Sequence, residues 1–265
     1  MKRTWLTVDF DDLRHVPSAQ GHPTRSKKPV EAQGLSEGYS HGLERFEAWL
    51  QGNEHPVTLF IIADLLHDEA FNRWLERMLA AFGHRLTVGC HGLTHRSWSA
   101  WPEDIEGFSS ALQQATAMLE QACGASFRFW FRAPAGYIAP WMAGVLASQG
   151  YSVDSSVNPS WLVRKKAGKG NSWQDVTRAM QEAHVLERPW ATRYSLPVNG
   201  PALTLFPLSI VAKGAWKRTP PVLLVNEVVK SVEDSECPLN TLYWHVLDHG
   251  RNNGTWSPPL PKTAR

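Results

Sequence analysis

Short runs rich in β-branched and aromatic residues alternate along the chain with segments of helical periodicity. The strand-like runs fall at 6–10, 57–62, 86–90, 127–131, 151–155, 184–187, 203–206 and 242–246. Between the second and third, Phe71, Trp74, Leu75, Met78, Leu79 and Phe82 recur at steps that put them on one helical face, and Gly83 ends that helix. A second helix is expected over 103–122. A third starts at Ser172, an N-cap with Asp175 placed to complete a capping box. Pro140 suits the first turn of a helix that Gly150 closes.

Strands that alternate with crossover helices build a parallel sheet covered on its faces, so the expected class is α/β, as an open sheet or a barrel. About seven such repeats favour the barrel. No internal repeat, low-complexity tract or linker divides the chain. It therefore reads as one domain over 1–265, with a proline-rich tail at 257–265. Two stretches are irregular: 15–39, polar with Pro and Gly, and 161–171, which carries Arg164, Lys165, Lys166 and Lys169. Loops of this length are often lids. Both hint at a larger, phosphate-bearing substrate, although a plain solvated surface explains them better.

Charge excludes more than it suggests. The 27 Lys and Arg stand against 25 Asp and Glu, a formal net charge of +2 with no long run of one sign, so no nucleic-acid footprint is expected. The 3 cysteines, Cys90, Cys123 and Cys237, are too widely spaced for a disulfide framework or a metal knuckle, and fit a reducing compartment. The opening residues lack the apolar core of a secretory signal, and no run approaches the roughly 18 apolar residues of a membrane helix. A cytoplasmic protein with no integral membrane segment is the expectation. Among the 13 tryptophans, Trp98, Trp101, Trp161 and Trp173 sit in polar sequence, where flat rings suit stacking on sugars; most of the 13 should fill the interior.

The candidate chemistry sorts by position. Asp9, Asp11 and Asp12 end the first strand, His91 and His95 follow the third, Arg132 follows the fourth, Asp154 ends the fifth and His245 ends the last. All lie at carboxyl ends of strands, the rim where α/β folds gather their active sites. The spacing of His91 and His95 brings two imidazoles to one side of a helical turn, with their Cβ atoms about 5–6 Å apart. With a carboxylate they make a two-His, one-carboxylate set suited to catalytic zinc or non-haem iron. Three clustered aspartates repel one another unless a cation or proton lies among them, though Asp12 alone can be explained as the N-cap of the next helix. Arg132, in Phe131-Arg132-Ala133-Pro134-Ala135-Gly136-Tyr137, can clamp a carboxylate or belong to a surface ion pair. His245 is either a proton donor or a hydrogen-bonded core histidine.

Together, Asp9-Phe10-Asp11-Asp12, His91-x-x-x-His95, Arg132-x-Pro134 and Leu242-x-x-His245 resemble, in order, the motifs of the polysaccharide deacetylase family, the NodB-homology carbohydrate esterases. The stretch from Gly150-Tyr151-Ser152-Val153-Asp154 to Asn158-Pro159 is similar to a branch that includes exopolysaccharide and O-antigen deacetylases. The resemblance implies a distorted parallel (β/α) barrel of about seven strands and metal-dependent removal of an N-acyl group from a sugar in bacterial surface polysaccharide biosynthesis. It also implies a divalent ion, zinc by expectation, and an N-acylated saccharide as partner.

By the same resemblance, His91, His95 and Asp12 would hold the ion and Asp11 would act as base. Leu13 stands where the family carries glycine, which leaves a second register with Asp9 as base and Asp11 on the ion; the first is favoured. Arg132 would hold the base, His245 would protonate the leaving amine, and Asp154 would orient a neighbouring cation. A backbone amide near Tyr137 would stabilise the oxyanion, with Tyr137 and Trp244 contacting substrate. Two other functions fit the same scaffold: hydrolysis of a small amide or cyclic imide, or silent carbohydrate binding. A two-His, one-carboxylate iron oxygenase fits less well.

Overall fold

β1 (Arg3–Phe10) pairs in parallel with β2 (Val57–Ile61) on one side and with the last strand on the other, and its side chains divide by alternation. Leu6, Val8 and Phe10 point to the helical layer, whereas Trp5, Thr7 and Asp9 point inward. The computed structural model describes residues 2–27 and 34–261. After β1 come α1 (Glu37–Gln51), β2, α2 (Glu69–Phe82), β3 (Leu86–Cys90), α3 (Ile105–Cys123), β4 (Phe127–Phe131), α4 (Met142–Ser148), β5 (Val153–Asp154), α5 (Trp173–Glu182) and β6 (Leu186–Glu187). A small hairpin, β7 (Thr192–Arg193) and β8 (Leu196–Pro197), precedes α6 (Leu208–Trp216), α7 (Val228–Glu233) and β9 (Leu239–His245).

The main sheet has 7 strands in the order β6-β5-β4-β3-β2-β1-β9, all parallel. It curls into the distorted β/α barrel that the sequence implies. Closure between β6 and β9 comes without a regular ladder: Trp190 bridges to Thr241, the Ala191 amide donates to the Thr241 carbonyl at 2.9 Å, and the Asn199 side chain reaches both Ala191 and Thr241 carbonyls. Inside, Trp5, Phe60, Trp130, Val153, Leu223, Val228 and Val232 form an apolar plug, with α7 covering one end. Outside, Phe10 packs edge-on against Phe46 and Phe71 and beside Trp74, tying β1 to α1 and α2.

The helices expected from periodicity appear, with Ser172 capping α5 and Asp175 completing the capping box. Three differences stand out. The run 203–206 is not a strand: Pro201 opens a 3-10 turn at Gly200–Leu203, Pro207 follows, and Leu205 and Phe206 are exposed. The stretch 15–39 ends in the first turn of α1, whose Tyr39, Leu43, Phe46 and Leu50 are buried; of this stretch, 28–33 lie outside the described residues, as do 262–265 of the tail. The stretch 161–171 winds into a 3-10 helix at Trp161–Ala167. No helix among the described residues is long and apolar enough to cross a membrane.

Phe10 is fully buried and joins three aromatic neighbours. Phe10→Ala should therefore lower unfolding free energy by about 3–5 kcal/mol, read as a fall in the urea midpoint at unchanged slope.

Candidate active site

Arg132 organises the carboxyl end of the barrel. Its side chain is fully buried, and every nitrogen finds a partner: Nε donates to the Ser155 carbonyl (2.9 Å), Nη2 to Ser155 Oγ (3.0 Å), and Nη1 to Thr7 Oγ1 (2.8 Å) and Asp9 Oδ1 (2.6 Å). Phe60 lies 4.2 Å from the guanidinium carbon and Tyr243 5.2 Å, so the cation is boxed by aromatic faces. This is a buried ion pair between Arg132 and Asp9, not a surface one.

Asp9 is opposite His245 in the β1–β9 register. Its Oδ1 is taken by Arg132, and its Oδ2 stands 4.0 Å from His91 Nε2. Asp11, two residues on, faces the same cavity; its Oδ2 is 4.0 Å from His95 Nε2, and its Oδ1 is buried without a hydrogen-bond partner. Burial, reinforced by Asp9, pushes the Asp11 carboxyl up to about 6 against the pull of His245 and His15.

Asp12 goes elsewhere. It is fully buried, and its two oxygens receive the Leu13 amide and the amide and hydroxyl of Ser36, the N-cap residue of α1. The favoured register, with Asp12 on the ion and Asp11 as base, is thereby corrected. Asp12 caps the turn after β1 and clamps the start of α1, leaving no oxygen for the cavity.

The centres of the His91 and His95 rings are 5.5 Å apart, but a helical turn is not what brings them together. The segment is a bend, not a helical turn, and Gly92 makes the bend with φ +93, where a Cβ would also press on the Thr94 carbonyl and Pro134. His91 Nδ1 donates to the Arg132 carbonyl at 2.8 Å, which leaves the Nε2 lone pair free and turned toward Asp9. Burial pushes His91 down to about 4 and His95 well below its ordinary value, so both imidazoles are neutral near pH 7.

His245 stands at the mouth with its side chain 23% exposed. Burial alone would lower its pKa, but Asp11, Asp248 and Asp9 together hold it up at about 9. Asp248 was not among the sequence candidates. Its Oδ2 lies 3.6 Å from His245 Nδ1 and accepts the His245 amide at 3.1 Å, while Oδ1 accepts from Arg251 Nε at 2.7 Å. The signal was an acid three residues after the strand-end histidine.

Other expectations need correction. Trp244 is fully buried, donates to His249 Nε2 at 2.9 Å and packs on Trp49 and Trp216, so it is a core residue with no access to substrate. The Tyr137 amide donates to the Pro134 carbonyl at 3.1 Å, and its ring is half-buried between His22 and Lys166. Ala135, not Tyr137, lines the cavity wall, and it adopts φ +51. Among the described residues, Asp154 forms no ion pair with a cation and is held by Ser156. It takes the Ser156 hydroxyl (2.6 Å), which itself accepts the Ala133 amide (2.7 Å), so Asp154 holds the turn that carries Ala135. Of Trp98, Trp101, Trp161 and Trp173, none lines the cavity; Trp190 does.

Asp9, Asp11, His91, His95 and His245 share one cavity of about 630 Å³, large enough for a sugar. Among the described residues, no group of three His, Cys, Asp or Glu side chains already stands at coordinating distance around one point. The donor set nevertheless suits a divalent ion in kind: two neutral imidazoles, His91 4.0 Å from Asp9 and His95 4.0 Å from Asp11, whose other oxygen is orphaned.

Removing the guanidinium would leave Asp9 as a buried, unpaired charge. Arg132→Met should cost about 3–5 kcal/mol in urea unfolding, and adding Asp9→Asn to that variant should recover part of the loss.

Residues 27–153 match the family described as polysaccharide deacetylase, a span that holds the histidine pair and Arg132 but neither β1 nor His245. No curated protein matches the chain by sequence. Among solved structures, a candidate polysaccharide deacetylase from Mycobacterium smegmatis superposes with a TM-score of 0.54 at 16% identity, covering 96% of this chain and 81% of that one. A 4-alpha-glucanotransferase from Thermococcus litoralis gives 0.50 at 11% identity, over 96% of this chain and 35% of the other. These likenesses concern the fold, whereas the sequence match, over 127 of the 265 residues, is to the polysaccharide deacetylase family.

Proposed function

We propose that this protein is a metal-dependent hydrolase that removes an N-acyl group, acetyl in the simplest case, from a sugar. The observation that carries the reading is the convergence of Asp9, Asp11, His91 and His95 in one cavity, with Arg132 behind Asp9 and His245 at the mouth. The likeness of 150–159 to exopolysaccharide and O-antigen deacetylases supports a sugar of a bacterial surface polysaccharide as substrate.

His91, His95 and Asp11 are the residues that would hold the ion, zinc by its preference for imidazole and carboxylate. When bound, the ion would polarise the acyl carbonyl and make a water more acidic. Asp9 is the base: Arg132 holds its Oδ1, so its Oδ2 is the oxygen left to accept the water proton. The water oxygen bonds to the acyl carbon. As charge builds on the carbonyl oxygen, the amide of Ala135 on the cavity wall is the donor assigned to it; the turn that carries Ala135 is braced by Asp154 and Ser156. His245, kept protonated by Asp248 and Asp11, delivers its proton to the sugar nitrogen as the C–N bond breaks. Acetate and a free amine result.

Incubation with N-acetylated saccharides should release acetate, and a chelator should abolish the release until zinc is restored. His245→Ala should keep the ion but slow turnover by roughly a hundredfold or more. Full activity in metal-free protein would refute the reading, and sugar binding with no product in the presence of zinc would favour the silent binding protein.

A further inference from the structure

The basic stretch 161–171 supplies a residue that the proposed reaction does not use. Lys166 lines the wall of the same cavity, and it is held from both ends: Ser99 Oγ donates to its backbone carbonyl (2.5 Å), and its ammonium donates to the Ala135 carbonyl (2.6 Å). One of three ammonium hydrogens is thereby engaged. The ammonium also lies 5.3 Å from the centre of the Tyr137 ring, which fixes its direction further.

Arg25 lines the cavity as well, on the loop that follows β1. That loop is anchored at Gly21, whose carbonyl accepts the Ser97 amide (2.8 Å) and Trp101 Nε1 (3.1 Å). A Cβ at Gly21 would collide with the His95 carbonyl at 2.1 Å, so glycine is what lets the loop lie against the histidine segment and bring Arg25 to the wall. His22 of the same loop bonds Tyr137 Oη through Nε2 at 3.1 Å, completing the packing around Lys166.

Among the described residues, neither Arg25 nor Lys166 forms an ion pair with a carboxylate, whereas Arg251 on the same cavity pairs with Asp248. The two cations repel each other: Arg25, after burial, is the cause that holds Lys166 down at about 8. A braced ammonium with hydrogens left to donate, beside an exposed guanidinium on the same wall, suits an occupant that carries the opposite charge.

We infer that Lys166 and Arg25 form a subsite for an anionic substituent, a phosphate or a sugar carboxylate, so that the substrate is an N-acylated sugar bearing negative charge rather than a neutral chitin-like saccharide. This inference rests on the sugar N-deacylase reading of the same cavity. Lys166 is the anchor, because its side chain is braced, and Arg25 adds reach from the loop.

The test measures binding separately from turnover. In titration calorimetry of the purified protein, glucose 1-phosphate should bind about tenfold or more tighter than methyl glucoside. Lys166→Met should erase that difference, Lys166→Arg should keep most of it, and Arg25→Gln should reduce it. Glucuronic acid provides the second arm: preference for it over glucose 1-phosphate identifies the charge as a carboxylate, and the reverse identifies a phosphate. In turnover, Lys166→Met should raise KM about tenfold more for charged N-acetyl sugars than for neutral ones. Equal binding of charged and neutral sugars, or no change in Lys166→Met, would overturn the subsite. Charge-dependent binding without any acetate release would instead sink the deacylase reading and leave the subsite standing.

Discussion

The structure depends on the burial of one full charge pair, Arg132 with Asp9, in the middle of the barrel. A guanidinium so placed is tolerable only if each of its donors is matched, and here Ser155, Thr7 and Asp9 match them while aromatic rings close the remaining faces. The interior is consequently layered. Trp5, Phe60 and Trp130 fill the lower part, Thr7 and Arg132 form the middle, and Asp9 with His91 lies at the reactive end. Arg132 also sets the histidine tautomer, because its carbonyl accepts from His91 Nδ1. One residue thus fixes both a carboxylate and an imidazole, and the rest of the site is arranged around them.

The three neighbouring carboxylates of the first motif end in three environments because a strand alternates. Asp9 shares its inward side with Thr7, while Phe10 points to α1 and α2. Asp11 reaches the cavity as the chain leaves the strand, and Asp12 turns away to cap. Their environments give them different chemistry: one paired with a cation, one left with an orphaned oxygen beside two neutral imidazoles, one consumed by backbone and serine hydrogen bonds. The cap explanation for Asp12 was open in the sequence, and the core character of Phe10 already implied that Asp9 and Asp11 lie on the other side.

Much of the barrel was legible because its strands are short apolar runs ended by reactive residues: β3 and β4 begin and end where the pattern places them. The run 203–206 misled because hydrophobicity alone does not separate a strand from an exposed apolar turn, and the prolines at 201 and 207 decided it. Asp248 and Ala135 escaped notice for physical reasons. An acid three residues past a strand end acts through the turn that follows, and a backbone amide has no sequence signature; its role depends on a left-handed φ at an ordinary alanine. Trp244 was misplaced because adjacency to His245 along a strand puts a side chain on the opposite face.

The central claim is the division of labour between Asp9 and Asp11, and metal content measured in single variants tests it most directly. Asp11→Asn should lower the zinc bound per chain, while Asp9→Asn and Asp12→Asn should retain it, with Asp9→Asn inactive despite its ion. Loss of zinc in Asp12→Asn, with zinc kept in Asp11→Asn, would contradict the account.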